Sequence, residues 1–256
     1  MQRLFFILSA FLFCLGIGPA VAEELRAVYL DTSAPPYLMG SGSEMAKPPG
    51  LVIDLLREAA GNDFQLSFRR ITARRIIDEV RFGRADVILG MRVTPERLAD
   101  LRFPMRNGAI DPDRWLVRLT QSFYRLEGGA LQWDGRRLSP AGATVGMPSG
   151  MAMGSLLRDL GAEVLEFSTT KQLFSMLAAG RFSAVATLDV IGDSFAGNVN
   201  GRRIEKLQPA LEEADFYMPV APAYYARHSD KVEALWHRMT TMRDASYARL
   251  LPQYLE

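Results

Sequence analysis

Apolar and polar positions recur along this chain with two alternating periods, and the changes between them predict a succession of strands and helices. Leu25 to Leu30 reads as a first strand, and after Gly50 the residues Leu51, Leu55, Leu56 and Ala59 recur at helical spacing, with Gly61 as a stop. Phe64 to Phe68 alternates as a strand. Residues 72–82 predict an amphipathic helix, with Ile76, Ile77 and Val80 inward and Arg74, Arg75, Asp78, Glu79 and Arg81 mostly on the solvated face; the other reading turns Arg74 or Arg75 toward a binding cleft. Ala85 to Leu89 is a short apolar run closed by Gly90, the pattern of a parallel strand covered on both faces. Thr94 then offers an N-cap hydroxyl and Pro95 a first helical position. Further strands are predicted at 115–119, 143–147 and 164–167, with helices at 151–160 and 171–179. A last strand falls within 217–226, followed by helices over 231–242 and 242–255. Residues 40–50 and 121–142, rich in turn formers, predict surface loops. Strands alternating with helices in this way predict an α/β protein.

The first 22 residues stand outside that pattern. Arg3 provides a positive start, Leu4 to Ile17 is apolar, and Ala20-Val21-Ala22 is a small-residue cleavage site before Glu23. We read residues 1–22 as an export signal and expect the mature protein in the periplasm. Cys14 is the only cysteine and follows Phe13 rather than a small residue, so a lipid-modified start is rejected. The mature chain then has no disulfide and relies on its core. Formal charge is +1 from 30 basic and 29 acidic side chains. That balance argues against nucleic acid as a partner. The two histidines, His228 and His237, have no metal-site spacing near them; they are expected at the surface, and neither metal nor cofactor is expected.

Ligands of open α/β sheets sit outside the carboxyl ends of strands, which places Arg92, Thr94 and Arg97 where a small molecule binds. Two guanidiniums there suit a carboxylate held bidentately. Residue types alone leave a second reading open, in which Arg97 caps or pairs within its own lobe.

The run Gly83-Arg84-Ala85-Asp86-Val87-Ile88, followed by Thr94-Pro95-Glu96-Arg97 and Leu101-Arg102-Phe103-Pro104, resembles the first-lobe signature of the family 3 extracellular solute-binding proteins. These are type II periplasmic binding proteins, mostly amino-acid receptors of ABC importers. The resemblance extends over most of residues 25–255. It implies two lobes with a ligand cleft between them: residues 23–117 and 219–256 in the first, and 118–218 in the second. It also implies a monomer that captures a small carboxylate-bearing ligand, delivers it to an inner-membrane permease and catalyses no reaction. An orphan or sensory binding protein, or a dehydratase-like enzyme of the same fold, is the alternative.

Residue by residue, the resemblance gives Arg97 the ligand's α-carboxylate and lays Tyr37, after Pro35-Pro36, against the ligand. Tyr37 packing on its own loop is the other reading. Val145-Gly146 and Gly150 keep the glycines of a helix entry that touches ligand through Ser149, Gly150 and Met151, although Met151 stands where a threonine is usual. Asp189 is the candidate acceptor for a ligand amine, one residue later than the pattern places it, or else a helix cap. Arg92 stands where a serine or threonine is usual. It either anchors a second negative group or pairs with Glu96.

Overall fold

The computed structural model describes residues 22–254. The export signal read at residues 1–22, with Cys14 inside it, lies outside the described residues except for Ala22. The first half runs β1 (Glu23–Leu30), α1 (Leu51–Ala60), β2 (Phe64–Ile71), α2 (Ile76–Arg81), β3 (Val87–Leu89), β4 (Met91–Arg92) and α3 (Pro95–Asp100). Strand β1 is the centre of a parallel sheet ordered β2-β1-β3. Helix α1 covers one face with Ile53, Leu55 and Leu56, all fully buried. Each such side chain contributes roughly 1.5–3 kcal/mol. The helix propensity lost at Val52 and Ile53 is only about half a kcal/mol each, so burial decides the conformation. The start of α1 is capped by the proline loop: Leu51 N–H donates to the Pro36 carbonyl (3.1 Å) and Val52 N–H to that of Tyr37 (3.2 Å). Gly50 permits the approach, because a Cβ there would stand 2.3 Å from the Tyr37 oxygen.

After a short hairpin, β5 (Met105–Arg106) and β6 (Ala109–Ile110), the long strand β7 (Val117–Leu126) leaves this sheet. It enters a second one with a small hairpin, β8 (Gln132–Trp133) and β9 (Leu138–Ser139), beside it. Then follow β10 (Thr144–Pro148), α4 (Gly154–Asp159), β11 (Glu163–Phe167), α5 (Thr170–Ala178), β12 (Ala184–Leu188) and α6 (Asp189–Gly192). The strands β13 (Gly197–Val199), β14 (Arg202–Lys206) and β15 (Glu212–Tyr217) precede the last helix, α7 (Pro222–Leu250). The second sheet is ordered β11-β10-β12-β7-β14-β13, with β15 antiparallel to β7. Its faces carry separate cores: Phe123, Val145 and Ala186 on one, Tyr124, Leu173 and Val185 on the other. Period-2 alternation along β7 and β12 supplies both.

The chain therefore forms two lobes joined by the antiparallel pair β7 and β15. Both crossings are tied to the first lobe by α7. Arg243 is buried and donates to the carbonyls of Asp113 (3.2 Å) and Trp115 (2.7 Å), while Tyr247 donates to Leu116 (2.9 Å). Trp236 Nε1 donates to Met218 on the return (2.8 Å).

Several element bounds differ from the sequence reading. The crossing strand starts at Val117 and runs to Leu126. The return strand ends at Tyr217, because Pro222 opens a helix at once. The two closing helices are one, with a non-helical residue at His228, followed by a 3₁₀ turn over Leu251–Tyr254. His228 is half-buried rather than superficial, with its ring 4.5 Å from that of Tyr224 and Nε2 3.5 Å from Glu23. Residues 72–75 are a turn and α2 begins only at Ile76; likewise α4 begins at Gly154 rather than at residue 151.

Candidate functional site

The carboxyl ends of the parallel strands converge on the gap between the lobes. Leu30 to Thr32 follow β1, Thr72 to Arg75 follow β2, and Gly90 to Arg92 follow β3. From the other lobe, Pro148 to Met151 follow β10, Ser168 to Thr170 follow β11, and Ile191 comes just after β12. These segments line two adjoining cavities, of about 450 and 770 Å³ measured to the surrounding atoms, which share Leu30, Ala73 and Met151. The lobes touch between them. A Cβ added at Gly150 (φ +80°) would stand 2.9 Å from the Ala73 carbonyl carbon and 3.0 Å from Arg74 N. Only glycine fits that approach with that φ.

Arg97 lies in the wall of the smaller cavity. Thr94 Oγ1 caps α3 by accepting from Arg97 N–H (3.3 Å), so the arginine is fixed at the first turn. Its Nη1 donates to the Arg92 carbonyl (2.9 Å) and its Nη2 crosses to the Gly150 carbonyl of the other lobe (3.0 Å). Two of its five donors are thus engaged, and by neutral oxygens. It forms no ion pair among the described residues. Burial pulls its pKa down to about 10; the neighbouring Arg92 charge adds to that, and Glu96 only partly offsets it. The guanidinium stays charged at neutral pH, desolvated and without a counter-ion. An arriving carboxylate would lower the energy of such a group.

The other anticipated residues separate into those that reach the cleft and those that do not. Ser149, Gly150 and Met151 line it. They do so as a turn, with Ser149 N–H given to the Phe167 carbonyl (2.9 Å), and not as a helix entry. Thr94 spends its hydroxyl on the cap and lines neither cavity. Tyr37 also stays outside: its ring meets Tyr247 edge-on, centroids 6.0 Å apart, in the first lobe's core. The ring thus packs on α7 rather than on its own loop, outside both cavities. Asp189 belongs to the second lobe's ionic cluster, where Lys206 Nζ lies 2.8 Å from it and 2.9 Å from Asp193. The extra residue before it puts Leu188 into the core and Asp189 at the start of α6, where Lys206 answers its Oδ2 while Oδ1 is buried without a hydrogen-bond partner among the described residues.

Arg92 requires a correction of partner. It lines the smaller cavity, yet its guanidinium is held bidentately by Glu212, with Nη2 to Oε2 at 2.7 Å; Gln121 Nε2 donates to Oε1 of the same carboxylate (3.1 Å). Glu96 is not the partner, and Arg92 is not a free cation. Strand pairing is the reason: β4 lies against β15 with Arg92 opposite Phe216, and Glu212 opposite Gln121.

For two residues the structure takes the second of the two sequence readings. Arg74 and Arg75 precede α2 rather than sitting within it, and both line the larger cavity. The signal that finds them is their place after the carboxyl end of β2, the same rule that singles out Arg97.

No protein-family model matches the chain, and no curated protein matches it by sequence. Solved structures do match. An ancestral arginine-binding protein bound to arginine superposes with a TM-score of 0.67 at 19% identity, over 92% of this chain and 100% of the other. The GluR0 ligand-binding core from Nostoc punctiforme, in complex with L-glutamate, gives 0.65 at 16% identity, over 90% and 98%. An ancestral amino acid-binding protein described as a precursor of cyclohexadienyl dehydratase gives 0.63 at 17%, over 91% and 95%. At these identities the likeness establishes the fold: the chain has the two-lobe architecture of type II periplasmic binding proteins, as its motifs imply.

Proposed function

We propose that this protein is a periplasmic solute-binding protein. It captures a small carboxylate-bearing ligand, an amino acid or related anion, by closing its lobes, and hands it to an ABC importer. Residues 23–117 and 219–256 move as one lobe and 118–218 as the other. The reading is supported by structural neighbours that include amino-acid-binding proteins. It is carried by one observation: Arg97, a desolvated guanidinium in the cleft wall, has no carboxylate partner among the described residues and bridges to Gly150 across the lobes. A ligand carboxylate would answer that charge chiefly in the closed form, and differential affinity for one form is what drives closure. No bond needs to be made or broken.

Calorimetric titration of amino acids and simple carboxylates into wild type and Arg97→Lys tests this. Lysine keeps the charge and loses the two-pronged geometry. We expect the best ligand to bind Arg97→Lys about tenfold to a hundredfold more weakly, the value of one charge-assisted hydrogen bond. Equal affinity in the variant would make Arg97 a structural residue and remove the basis of the reading.

A further inference from the structure

We propose that the cleft takes a dianion, a small dicarboxylate. Its first carboxylate sits on Arg97 and its second reaches Arg74 and Arg75 in the adjoining cavity. The inference rests on the carboxylate reading of Arg97 and adds a second charge to it. The arginines flanking the pair in sequence are all committed: Arg69 and Arg84 to Glu79, Arg70 to the carbonyls of Met39 and Gly40, Arg81 to Asp100. The guanidiniums of Arg74 and Arg75 alone in that run donate to no group among the described residues, and both residues line the larger cavity. The turn that holds them follows β2, and α3, which holds Arg97, follows β3 after the two residues of β4, so both cationic positions stand beyond the carboxyl ends of the same parallel sheet.

Arg92 cannot serve as the second anchor, because Glu212 occupies its fork. Between the two cationic positions lie Leu30, Ala73 and Met151, an apolar neck that suits a methylene spacer. The opposite lobe brings Ser149, Ser168 and Thr170 to the larger cavity. A carboxylate there would take charge from one lobe and hydroxyls from the other, and that combination is complete only when the lobes meet. Asp31 is the acidic residue on that wall, and it would receive an ammonium if the dianion carries one.

The test titrates glutarate, glutamate and butyrate into wild type, into Arg74→Gln/Arg75→Gln, and into Arg97→Lys. Both side chains are exposed and make no hydrogen bond or ion pair among the described residues, so the double variant should unfold at the wild-type midpoint without ligand. Wild type is expected to bind glutarate at least about tenfold more tightly than butyrate. The double variant should bring glutarate down to the butyrate level and leave butyrate where it was, whereas Arg97→Lys should weaken both. Glutamate binding that depends on the arginine pair supports the inference equally and marks the dianion as an amino acid. Glutarate and butyrate of equal affinity, or glutarate binding untouched in the double variant while Arg97→Lys still loses it, overturns this inference and leaves the carboxylate reading standing. Binding of none of the three, or binding indifferent to Arg97, overturns both.

Discussion

Replacing Gly150 with alanine separates closure from folding. The added methyl group meets two penalties. A left-handed φ costs a non-glycine residue about 1–2 kcal/mol, whichever way the lobes stand. The second penalty exists only where the lobes touch. The Cβ would lie 2.9–3.0 Å from the backbone of Ala73 and Arg74, rigid atoms that cannot swing aside as a side-chain end can. Overpacking of that kind costs about 1–3 kcal/mol. It falls on the closed form alone, so it appears as weaker ligand binding of about five- to 150-fold. Gly142 is the control: it has φ +72° in the same lobe with nothing near its Cβ position. Gly142→Ala should lose stability by the φ penalty and keep wild-type affinity. Gly150→Ala should lose comparable stability and, in addition, affinity, with small-angle scattering showing a smaller compaction on adding ligand. If calorimetry gives Gly150→Ala the affinity of the control, the contact with Ala73 has no part in the bound form and the closure argument fails.

Other outcomes follow from the ionic pairs. Arg92→Ser leaves the Glu212 carboxylate with Gln121 alone in a site where both charged side chains are less than a third exposed. It should cost about 1–2 kcal/mol, or roughly 2–8 °C in the thermal midpoint, while changing carboxylate affinity less than Arg97→Lys does. Glu79, buried between Arg84 and Arg69, has its pKa held below the ordinary carboxylate value chiefly by the Arg84 hydrogen bond. A depressed carboxylate contributes stability that is complete above pH about 4.5 and is lost as pH falls through its folded value. Denaturant melts of Glu79→Gln should therefore show a loss of about 1–3 kcal/mol at pH 7 that shrinks toward pH 3. A loss constant over that range would assign the effect to packing. Carboxylate binding should be flat from pH 6 to 9, where Arg97 and the ligand both keep their charge; a midpoint in that window would implicate another group.

The fold was legible because it rests on local patterns. The short run from Ala85 to Leu89 closed by Gly90 marked the strand before the site, and the Thr94-Pro95 pair located the start of α3 to the residue. The same reading put Arg74 and Arg75 inside a helix and favoured its solvated face over the cleft. Residues 72–82 keep helical spacing throughout, and nothing local shows that the turn after β2 delays α2 until Ile76. Tyr37 was misplaced for a related reason. Its partner Tyr247 is 210 positions away, and only the docking of α7 brings them together. Helix α4 starts late because Pro148-Ser149-Gly150 has to turn past Ala73 before a helix can form, a requirement imposed by the opposite lobe.

Arg92 carries the argument one step further. Its pairing with Glu212 spans 120 residues and depends on β4 meeting β15 in a register with Arg92 opposite Phe216. Glu212 is four residues before Phe216, on the same face of that strand, and Gln121 stands directly across from it on β7. Three polar side chains from three strands thus converge beneath the smaller cavity and satisfy one another. The consequence falls on Arg97. Arg97 has no ion-pair partner among the described residues: Glu96 only partly offsets its burial, Glu212 is held by Arg92 and Gln121, and Arg92 adds its own repulsion. A neutral ligand leaves that imbalance in place, while an anionic one removes it. The ion pair on the cleft floor therefore favours charged ligands without touching them. Glu212→Gln should sharpen the effect, raising affinity for carboxylates by freeing a second guanidinium and leaving affinity for neutral amides unchanged. Calorimetry with a matched carboxylate and amide pair on this variant would refute the argument if both affinities moved together.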